Sequence, residues 1–326
     1  MRGKHLELPN NRHPVWARVS LPTLLAARLG STKVTVVQGR TPASVWVARA
    51  VARRLGVKSI ATLHRPFIGK SATDRFVERR QARADALIAV SDHVARDALA
   101  HMPSTDGRLE TIEPGINIDR FNPAAIRVDR VIRLAADLRI PDGRLVVLCA
   151  TREGRGRLTL IETIKRLARP DVFCLMLGAD GTPTAFEKEL ERAILQAELH
   201  GRAQLGPYVD DMPAAYMLAD VVVATGGLQQ GFSRALIEAQ AMGRPVVAAA
   251  GSGAAEAVRP GLTGWLAPEG DAAALAQAID SALSLTAERR GELAHAAQAH
   301  IRGRYALAPG NARLLALYER LSDTGG

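Results

Sequence analysis

A glycine-rich loop followed by a helix is the clearest candidate for a chemical site in this sequence. The loop covers residues 225–231, directly after the apolar run 221–224. Glycine lets a backbone approach a ligand closely, and the first N–H groups of a helix attract anions such as phosphate. Gly231, Phe232 and Ser233 lead into the predicted helix. The backbone N–H groups of these three residues are therefore candidates to bind an anion such as phosphate.

The elements around this loop predict a βαβ unit. An apolar strand at 221–224, the loop, a helix at 232–242 and a second strand at 246–250 follow one another in that order. A βαβ unit has parallel strands, and ligands of parallel sheets bind at the loops beyond the carboxyl ends of the strands. The position of the glycine loop therefore agrees with its proposed chemistry.

The same alternation of strands and helices extends over most of the 326 residues, which is enough chain for two domains. It predicts an α/β fold of parallel, doubly wound sheets. Further strands are predicted at 33–38, 58–63, 86–90, 109–116, 145–150 and 172–177. Further helices are predicted at 42–55, 158–168, 184–199, 212–218, 271–284, 287–303 and 308–322.

Three segments resemble the donor-site signature of a known enzyme family: QGFSRALIEAQAMGRPVVA, GSGAAEAV and GLTGWLAPEGD. The family is that of retaining glycosyltransferases of family 4, of the bacterial group 1 type that builds lipopolysaccharide and glycolipids. The resemblance implies the GT-B fold, in which two Rossmann-like domains face a cleft. It implies an acceptor-side domain at 1–123, a donor-binding domain at 124–305 and a C-terminal helix at 306–326 that crosses back to the first domain.

The opening βα unit of the family, with its glycine loop, has no counterpart in this sequence. The first domain is therefore expected to be N-terminally shortened. The chain is then a fragment, a sequence with a misassigned start or a reduced relative.

The family signature contains two glutamates eight positions apart, and the resemblance places Gln230 and Glu238 at these positions. Glu238 would hold the ribose hydroxyls of the donor, since a carboxylate accepts two hydrogen bonds from a diol. Gln230 stands where the family has a sugar-facing glutamate. Glutamine keeps an acceptor but loses the charge, which would change the donor choice, slow catalysis or mark a weakened enzyme.

Positive charge against the departing diphosphate is expected in the segment TREGRGRL. There Arg152 matches an arginine of the family, and Arg155 with Gly156 matches its Lys-Gly pair. Arginine can neutralise a phosphate, although its planar fork differs from an ammonium group. The resemblance also implies a donor or acceptor contact for His64.

Weaker candidates for the acceptor side are Arg65 and Lys70. Metal chemistry has no support in the sequence, which lacks HExxH and paired CxxC motifs. The only co-substrate expected is the nucleotide-diphosphate sugar, with no cofactor.

The excess positive charge lies entirely in the first part of the chain. The first 125 residues carry 20 Lys+Arg against 10 Asp+Glu, and the remainder carries 23 of each. This asymmetry favours an anionic partner such as a membrane surface or a phosphorylated glycolipid, and a solvated basic face is the alternative. Four Tyr and six Phe give little support for nucleic acid as a partner.

The sequence thus predicts a cytoplasmic, metal-independent, retaining glycosyltransferase, peripheral at the inner membrane face. Its expected acceptor is a lipid-linked or lipopolysaccharide-type glycan. Cys149 and Cys174 are expected to be buried free thiols. Two alternatives remain open: a catalytically weak homologue that acts as a binding or partner subunit, and a non-hydrolysing sugar-nucleotide epimerase.

Overall fold

The computed structural model describes residues 15–30, 33–67, 71–151, 155–179, 183–227 and 229–323. Contacts between residues divide the chain into two compact units. The first contains the residues up to Glu113 together with those from Asn311 onward, and the second contains Pro114–Gly310. The division thus falls at Glu113 and not after Pro123. Residues 114–123 belong to the second unit, where the Ile116 N–H donates to the Tyr305 carbonyl oxygen at 2.8 Å.

The first unit contains a sheet of four parallel strands in the order β1-β2-β3-β4. Its strands are β1 (Val36–Gly39), β2 (Lys58–Leu63), β3 (Ala86–Ala89) and β4 (Leu109–Thr111). Its helices are α1 (Val15–Leu29), α2 (Pro42–Leu55), α3 (Ala72–Arg79) and α4 (Asp92–His101), with the last helix α12 (Leu307–Asp323) reaching it from the second unit.

Both faces of this sheet are covered, by different helices. Val37 packs in the cluster formed by α1 and α2, whereas its neighbour Val36 packs in the cluster that contains Leu317 of α12. Neighbouring residues of a strand point to opposite faces of a sheet. The helix α12 therefore completes the core of a unit from which it is separated by about 200 residues of sequence.

The second unit contains a sheet of six parallel strands in the order β10-β9-β8-β5-β6-β7. Its strands are β5 (Leu145–Cys149), β6 (Val172–Ala179), β7 (Ala203–Pro207), β8 (Val221–Ala224), β9 (Val246–Ala249) and β10 (Gly264–Ala267). Its helices are α5 (Val128–Asp137), α6 (Gly156–Leu167), α7 (Ala185–Gln196), α8 (Met212–Leu218), α9 (Arg234–Ala241), α10 (Ala272–Leu283) and α11 (Ala287–Arg304).

This sheet is buried on both faces, as its continuous apolar strands require. Along β5, Val146 and Leu148 belong to one core cluster, and Val147 and Cys149 belong to the other. The chain leaves β5 towards β6 and then returns to place β8 on the other side of β5. Between β5 and β8 lies the switch point at which open α/β sheets bind ligands.

The predicted two-domain α/β fold is therefore confirmed, with local corrections. Strand β4 ends at Thr111 and not at residue 116. Pro114 has no N–H to donate to a neighbouring strand, and Ile116 forms an isolated β-bridge with Ala306 instead. Helix α9 begins at Arg234, two residues later than predicted. The sequence did not predict α1, α5, β7 or β10. Both cysteines are buried free thiols, as expected.

Candidate functional site

The first residue of α6 is in direct contact with the loop after β8, at the switch point of the second unit. Gly156 is the first residue of α6, and a Cβ atom there would overlap the carbonyl oxygen of Thr225, which follows β8. Only glycine therefore allows this approach of two backbones. The contact brings the N-terminus of α6 beside the loop that leads to the N-terminus of α9.

Ser233 is the N-cap of helix α9. The Ser233 Oγ accepts a hydrogen bond from the Leu236 N–H at 3.4 Å. Phe232 packs against the core, with its ring centroid 6.2 Å from that of Tyr305. Gly231 and Ser233 are buried. The first turn of a helix has N–H groups without partners inside the helix, and such groups attract anions.

The backbone of Gln230 forms hydrogen bonds within its own glycine loop and to the second glycine loop, which follows β9. Its N–H donates to the Gly227 carbonyl oxygen at 2.9 Å, and its own carbonyl oxygen accepts from the Gly253 N–H at 2.8 Å. Its side-chain Oε1 is buried, and within the described part of the chain it has no hydrogen-bond partner. A buried acceptor without a donor is costly, which marks this amide as a position for a ligand donor.

Glu238 is buried in α9, with 8% of its surface exposed. Its Oε2 accepts a hydrogen bond from the Tyr216 hydroxyl at 2.9 Å, and its Oε1 lies 3.5 Å from Arg234 Nη2. Burial raises the pKa of Glu238, while Tyr216 and Arg234 oppose that rise. Burial and the nearby carboxylate raise the pKa of Tyr216 well above its ordinary value, so Tyr216 stays a hydrogen-bond donor.

Of the two arginines predicted in TREGRGRL, the structure describes only Arg155. Arg152 lies outside the described residues. Arg155 directly precedes α6, and its exposed side chain forms an ion pair with Glu189 of α7 at 3.1 Å. Arg157, which sequence reasoning did not select, is almost fully buried, and its Nη2 lies 3.4 Å from the Leu177 carbonyl oxygen.

In the first unit, His64 follows the carboxyl end of β2. Arg40, which follows β1, donates from Nε to His64 Nε2 at 3.4 Å. Desolvation and the Arg40 charge lower the pKa of His64, which favours the neutral imidazole. Arg65 is exposed beside it. Lys70 lies outside the described residues.

The structure thus brings Gly156 together with the loop and helix that carry Gln230, Gly231, Phe232, Ser233 and Glu238. Sequence reasoning missed Thr225 as the contact of Gly156, Tyr216 as the donor to Glu238, and Arg40. Arg40 could have been found, because it follows the carboxyl end of a strand in the same sheet as His64. Tyr216 carried no such signal.

The described residues contain no cluster of three or more His, Cys, Asp or Glu side chains suited to a metal ion. The expectation of a metal-independent site remains a prediction. Over the same residues, no helix combines the length and the apolar character needed to span a membrane.

Comparison with solved structures identifies the class of fold. A glycosyltransferase from Rickettsia africae superposes with a TM-score of 0.85 at 23% identity, over 97% of this chain and 84% of that one. The Anabaena protein HepE in complex with UDP-glucose superposes with a TM-score of 0.83 at 21% identity, over 94% of this chain and 84% of that one. The two parallel-sheet units are therefore those of the GT-B fold.

Sequence comparison identifies the family. The profile described as "Glycosyltransferase Family 4" matches residues 2–120, and the profile "Glycosyl transferases group 1" matches residues 144–284. The D-inositol 3-phosphate glycosyltransferase of Mycobacterium tuberculosis is 30% identical over 240 residues, which are 73% of this chain and 49% of that protein. The chain thus spans about half the length of the curated relatives it matches. The chain belongs to the group 1 glycosyltransferases of the GT-B, family 4 type.

Proposed function

We propose that this protein transfers a glycosyl group from a nucleotide-diphosphate sugar to an acceptor hydroxyl, with retention at the anomeric carbon. The contact of Gly156 with Thr225 carries the proposal, because it brings the N-terminus of α6 to the loop that precedes α9. Helix N-termini stabilise anions through unpaired N–H groups and the helix dipole. A diphosphate at the switch point would meet both sets of groups.

Each site residue has a role in this proposal. Glu238, held by Tyr216, would accept hydrogen bonds from the ribose hydroxyls. Gln230 and the N–H groups of Gly231, Phe232 and Ser233 would contact the sugar and the phosphates. During transfer the bond from the anomeric carbon to the diphosphate breaks and a bond to the acceptor oxygen forms. The acceptor proton passes to the departing phosphate oxygen.

Arg155, together with Arg152, would neutralise the charge that develops on the diphosphate. For this, Arg155 has to exchange Glu189 for the donor. The Arg155 side chain is 78% exposed, and an ion pair so exposed is worth at most about 1 kcal/mol. A diphosphate therefore competes easily for this guanidinium. His64 and Arg65, with Lys70, would serve the acceptor side, and Arg40 would keep His64 neutral.

We further propose that the acceptor is lipid-linked or of the lipopolysaccharide type and that the basic first part of the chain meets an anionic membrane surface. The 20 basic against 10 acidic residues in the first 125 support this. Binding to anionic vesicles should then fall steeply with salt. Absence of vesicle binding at low salt would remove the membrane from the proposal. Transfer to free inositol phosphate, the acceptor in the name of the mycobacterial relative, would instead assign a soluble acceptor.

Calorimetry with UDP-, GDP- and ADP-glucose tests donor binding. We expect saturable binding of at least one of them by the wild type and its loss in Glu238→Ala. The matched control is Glu162→Ala, which removes a half-exposed glutamate of α6 that pairs with Arg166 of the same helix. Failure of the wild type to bind any of the three donors contradicts the proposal. Unchanged affinity in Glu238→Ala contradicts the role of that residue.

One observation favours a second function, that of a catalytically weak homologue that binds the donor as a partner subunit. Gln230 replaces the sugar-facing glutamate, and its buried Oε1 has no partner among the described residues. Gln230→Glu then restores the family residue. If wild-type transfer is at background while donor binding is normal, and Gln230→Glu raises turnover, the weakened homologue is the correct description. Wild-type turnover that Gln230→Glu leaves unchanged or lowers excludes it.

A further inference from the structure

A basic cavity lies in the first unit, at the end of the sheet opposite to the end where His64 lies. It opens at the amino end of β2 and has a volume of about 320 Å³. Its wall is formed by the C-terminal half of α2, the turn into β2 and the residues before β3. His64 follows the other end of β2, a strand of six residues and therefore about 20 Å long. The cavity is thus separate from the acceptor-side candidates.

Four cationic residues and one acidic residue are among those that line this cavity. The cations are Arg49, Arg53, Lys58 and Arg83, and the acid is Asp85. The Asp85 Oδ2 accepts hydrogen bonds from the N–H and the Oγ of Ser59, at 2.8 and 2.7 Å. Across the residues that the structure describes, none of the four cations forms an ion pair with a carboxylate. The four cations outnumber Asp85, so the residues that line the cavity carry a net positive charge.

The position of Arg49 shows that these charges act on one another. Burial lowers the pKa of Arg49, and the charges of Arg83, Arg53 and Arg80 lower it further, while the charge of Asp85 opposes them. The Arg49 Nε donates to the Arg83 carbonyl oxygen at 2.8 Å, which fixes the guanidinium through one of its five donors. Like charges held close together destabilise a folded protein unless an anion lies between them.

Helix capping explains only part of this cluster. Cations in the last turn of a helix interact favourably with its dipole, and Arg54 does so by donating to the Ala50 carbonyl oxygen at 3.1 Å. Arg53 belongs to the same turn. Lys58 and Arg83 lie outside α2, and the helix dipole gives no reason for their convergence on the same cavity.

We propose that this cavity binds a phosphate monoester through Arg49, Arg53, Lys58 and Arg83. Guanidinium groups match the oxygens of phosphate in forked, charge-assisted pairs, and an ammonium group adds a point charge. A volume of about 320 Å³ accommodates a phosphate with a small polyol attached. The ligand is either the headgroup of an anionic lipid or a free phosphorylated metabolite. This binding site does not depend on the donor site in the second unit.

The experiment measures glycerol phosphate binding to the full chain by calorimetry. The double variant Arg53→Gln, Lys58→Gln removes two cavity charges. The matched control Arg28→Gln, Arg54→Gln removes two exposed charges of the same unit that do not line the cavity. Because a hydrogen bond to a charged group is worth more than a neutral one, we expect the cavity variant to bind at least about tenfold more weakly and the control to bind as the wild type does.

Two further measurements keep the result unambiguous. The affinity for UDP-glucose should be the same in all three proteins, because the donor site is untouched. Without phosphate the cavity variant should have an unchanged or higher Tm, because it relieves repulsion. An equal loss of glycerol phosphate binding in both variants, or no saturable binding by the wild type, would show diffuse surface charge and overturn the proposal.

Vesicles separate the two sources of the phosphate. Phosphatidic acid carries the same monoester on a membrane, and phosphatidylglycerol carries a diester. Preference for phosphatidylcholine vesicles that contain phosphatidic acid, lost in the cavity variant only, assigns a lipid headgroup. Saturable glycerol phosphate binding without that preference assigns a free metabolite. Vesicle binding that both variants weaken equally, without saturable glycerol phosphate binding, contradicts the site.

Discussion

At the scale of single residues, the buried pair Tyr216 and Glu238 sets the properties of the candidate donor site. The carboxylate is desolvated, yet it keeps one donor in the Tyr216 hydroxyl and one nearby cation in Arg234. Tyr216 comes from α8 and Glu238 from α9, so the pair also fixes one helix to the other. We regard Tyr216 as a positioning residue, because it acts on the donor only through Glu238.

Tyr216→Phe tests this positioning role. It removes the hydrogen bond to Glu238, so the pKa of Glu238 should rise further and the ionised form should be lost at a higher pH. A hydrogen bond to a charged group is worth about 1.5–3 kcal/mol, so we expect nucleotide affinity to fall about tenfold or more. Calorimetry over a range of pH should show the loss of affinity beginning at a higher pH than in the wild type. The control Tyr208→Phe, at an exposed tyrosine, should change neither the nucleotide affinity nor its dependence on pH.

Glu238→Gln should make the protein more stable while it weakens donor binding. The folded-state pKa of Glu238 is raised, so ionisation is easier in the unfolded chain, and the ionised residue costs stability at neutral and alkaline pH. We expect the variant to have the higher Tm there, with a difference that shrinks as the pH falls through the pKa of Glu238. A variant Tm below that of the wild type at every pH contradicts the assigned burial cost.

At the scale of elements, the approach of α6 to the loop after β8 forms the floor of the candidate site. Both elements follow strands that are neighbours in the sheet, β5 and β8. Gly156 allows the contact because it has no side chain. The geometry of the site therefore depends on the absence of a Cβ atom at residue 156.

Gly156→Ala should displace α6 from the loop. Its Cβ atom would overlap the Thr225 carbonyl oxygen, which belongs to the backbone and has little freedom to move. Overpacking costs about 1–3 kcal/mol, and we expect a lower Tm and weaker donor binding together. Gly291→Ala in α11 is the control, because a Cβ atom there meets no other atom within 4 Å. This control should keep the wild-type affinity and gain stability, since alanine favours a helix over glycine.

The sequence predicted the elements that local patterns determine. The strands β2, β5, β6, β8 and β9 are apolar runs, and the glycine loop before α9 is a local signal. Helix α1 contains Pro22, which argues against a helix in sequence reasoning, and β7 is short and ends in Pro207. The contacts of Glu238 with Tyr216 and of Arg155 with Glu189 join residues far apart in the sequence. No local spacing encodes such pairs, so the sequence could name Glu238 and Arg155 but not their partners.

At the scale of the whole molecule, the helix α12 links the two units within one continuous helix. It begins at Leu307 in the second unit, and from Asn311 onward it belongs to the first. Leu317 is 1% exposed and packs with Ile60 and Ile88 of the first sheet. The stability of the first unit therefore depends on residues at the far end of the chain.

Leu317→Ala should destabilise the first unit selectively. A fully buried leucine costs about 2–5 kcal/mol when truncated to alanine. Hydrogen exchange should accelerate in β1 to β4, while β5 to β10 and the affinity for the nucleotide sugar stay as in the wild type. Leu315→Ala, two residues earlier and 44% exposed, is the matched control and should leave exchange unchanged. Equal acceleration in both sheets would show that the two units unfold as one.

The discontinuity of the first unit has a consequence for synthesis on the ribosome. Residues 114–310 form an uninterrupted unit, whereas the first unit lacks Leu317 until the last helix has been made. Ribosomes add about 5–20 residues per second, so roughly 10–40 s pass between the synthesis of Glu113 and that of the helix that covers one face of the first sheet. During that time the apolar face of β1 to β4 is open to chaperones. We therefore expect the second unit to finish folding before the first, the reverse of the usual order along a nascent chain.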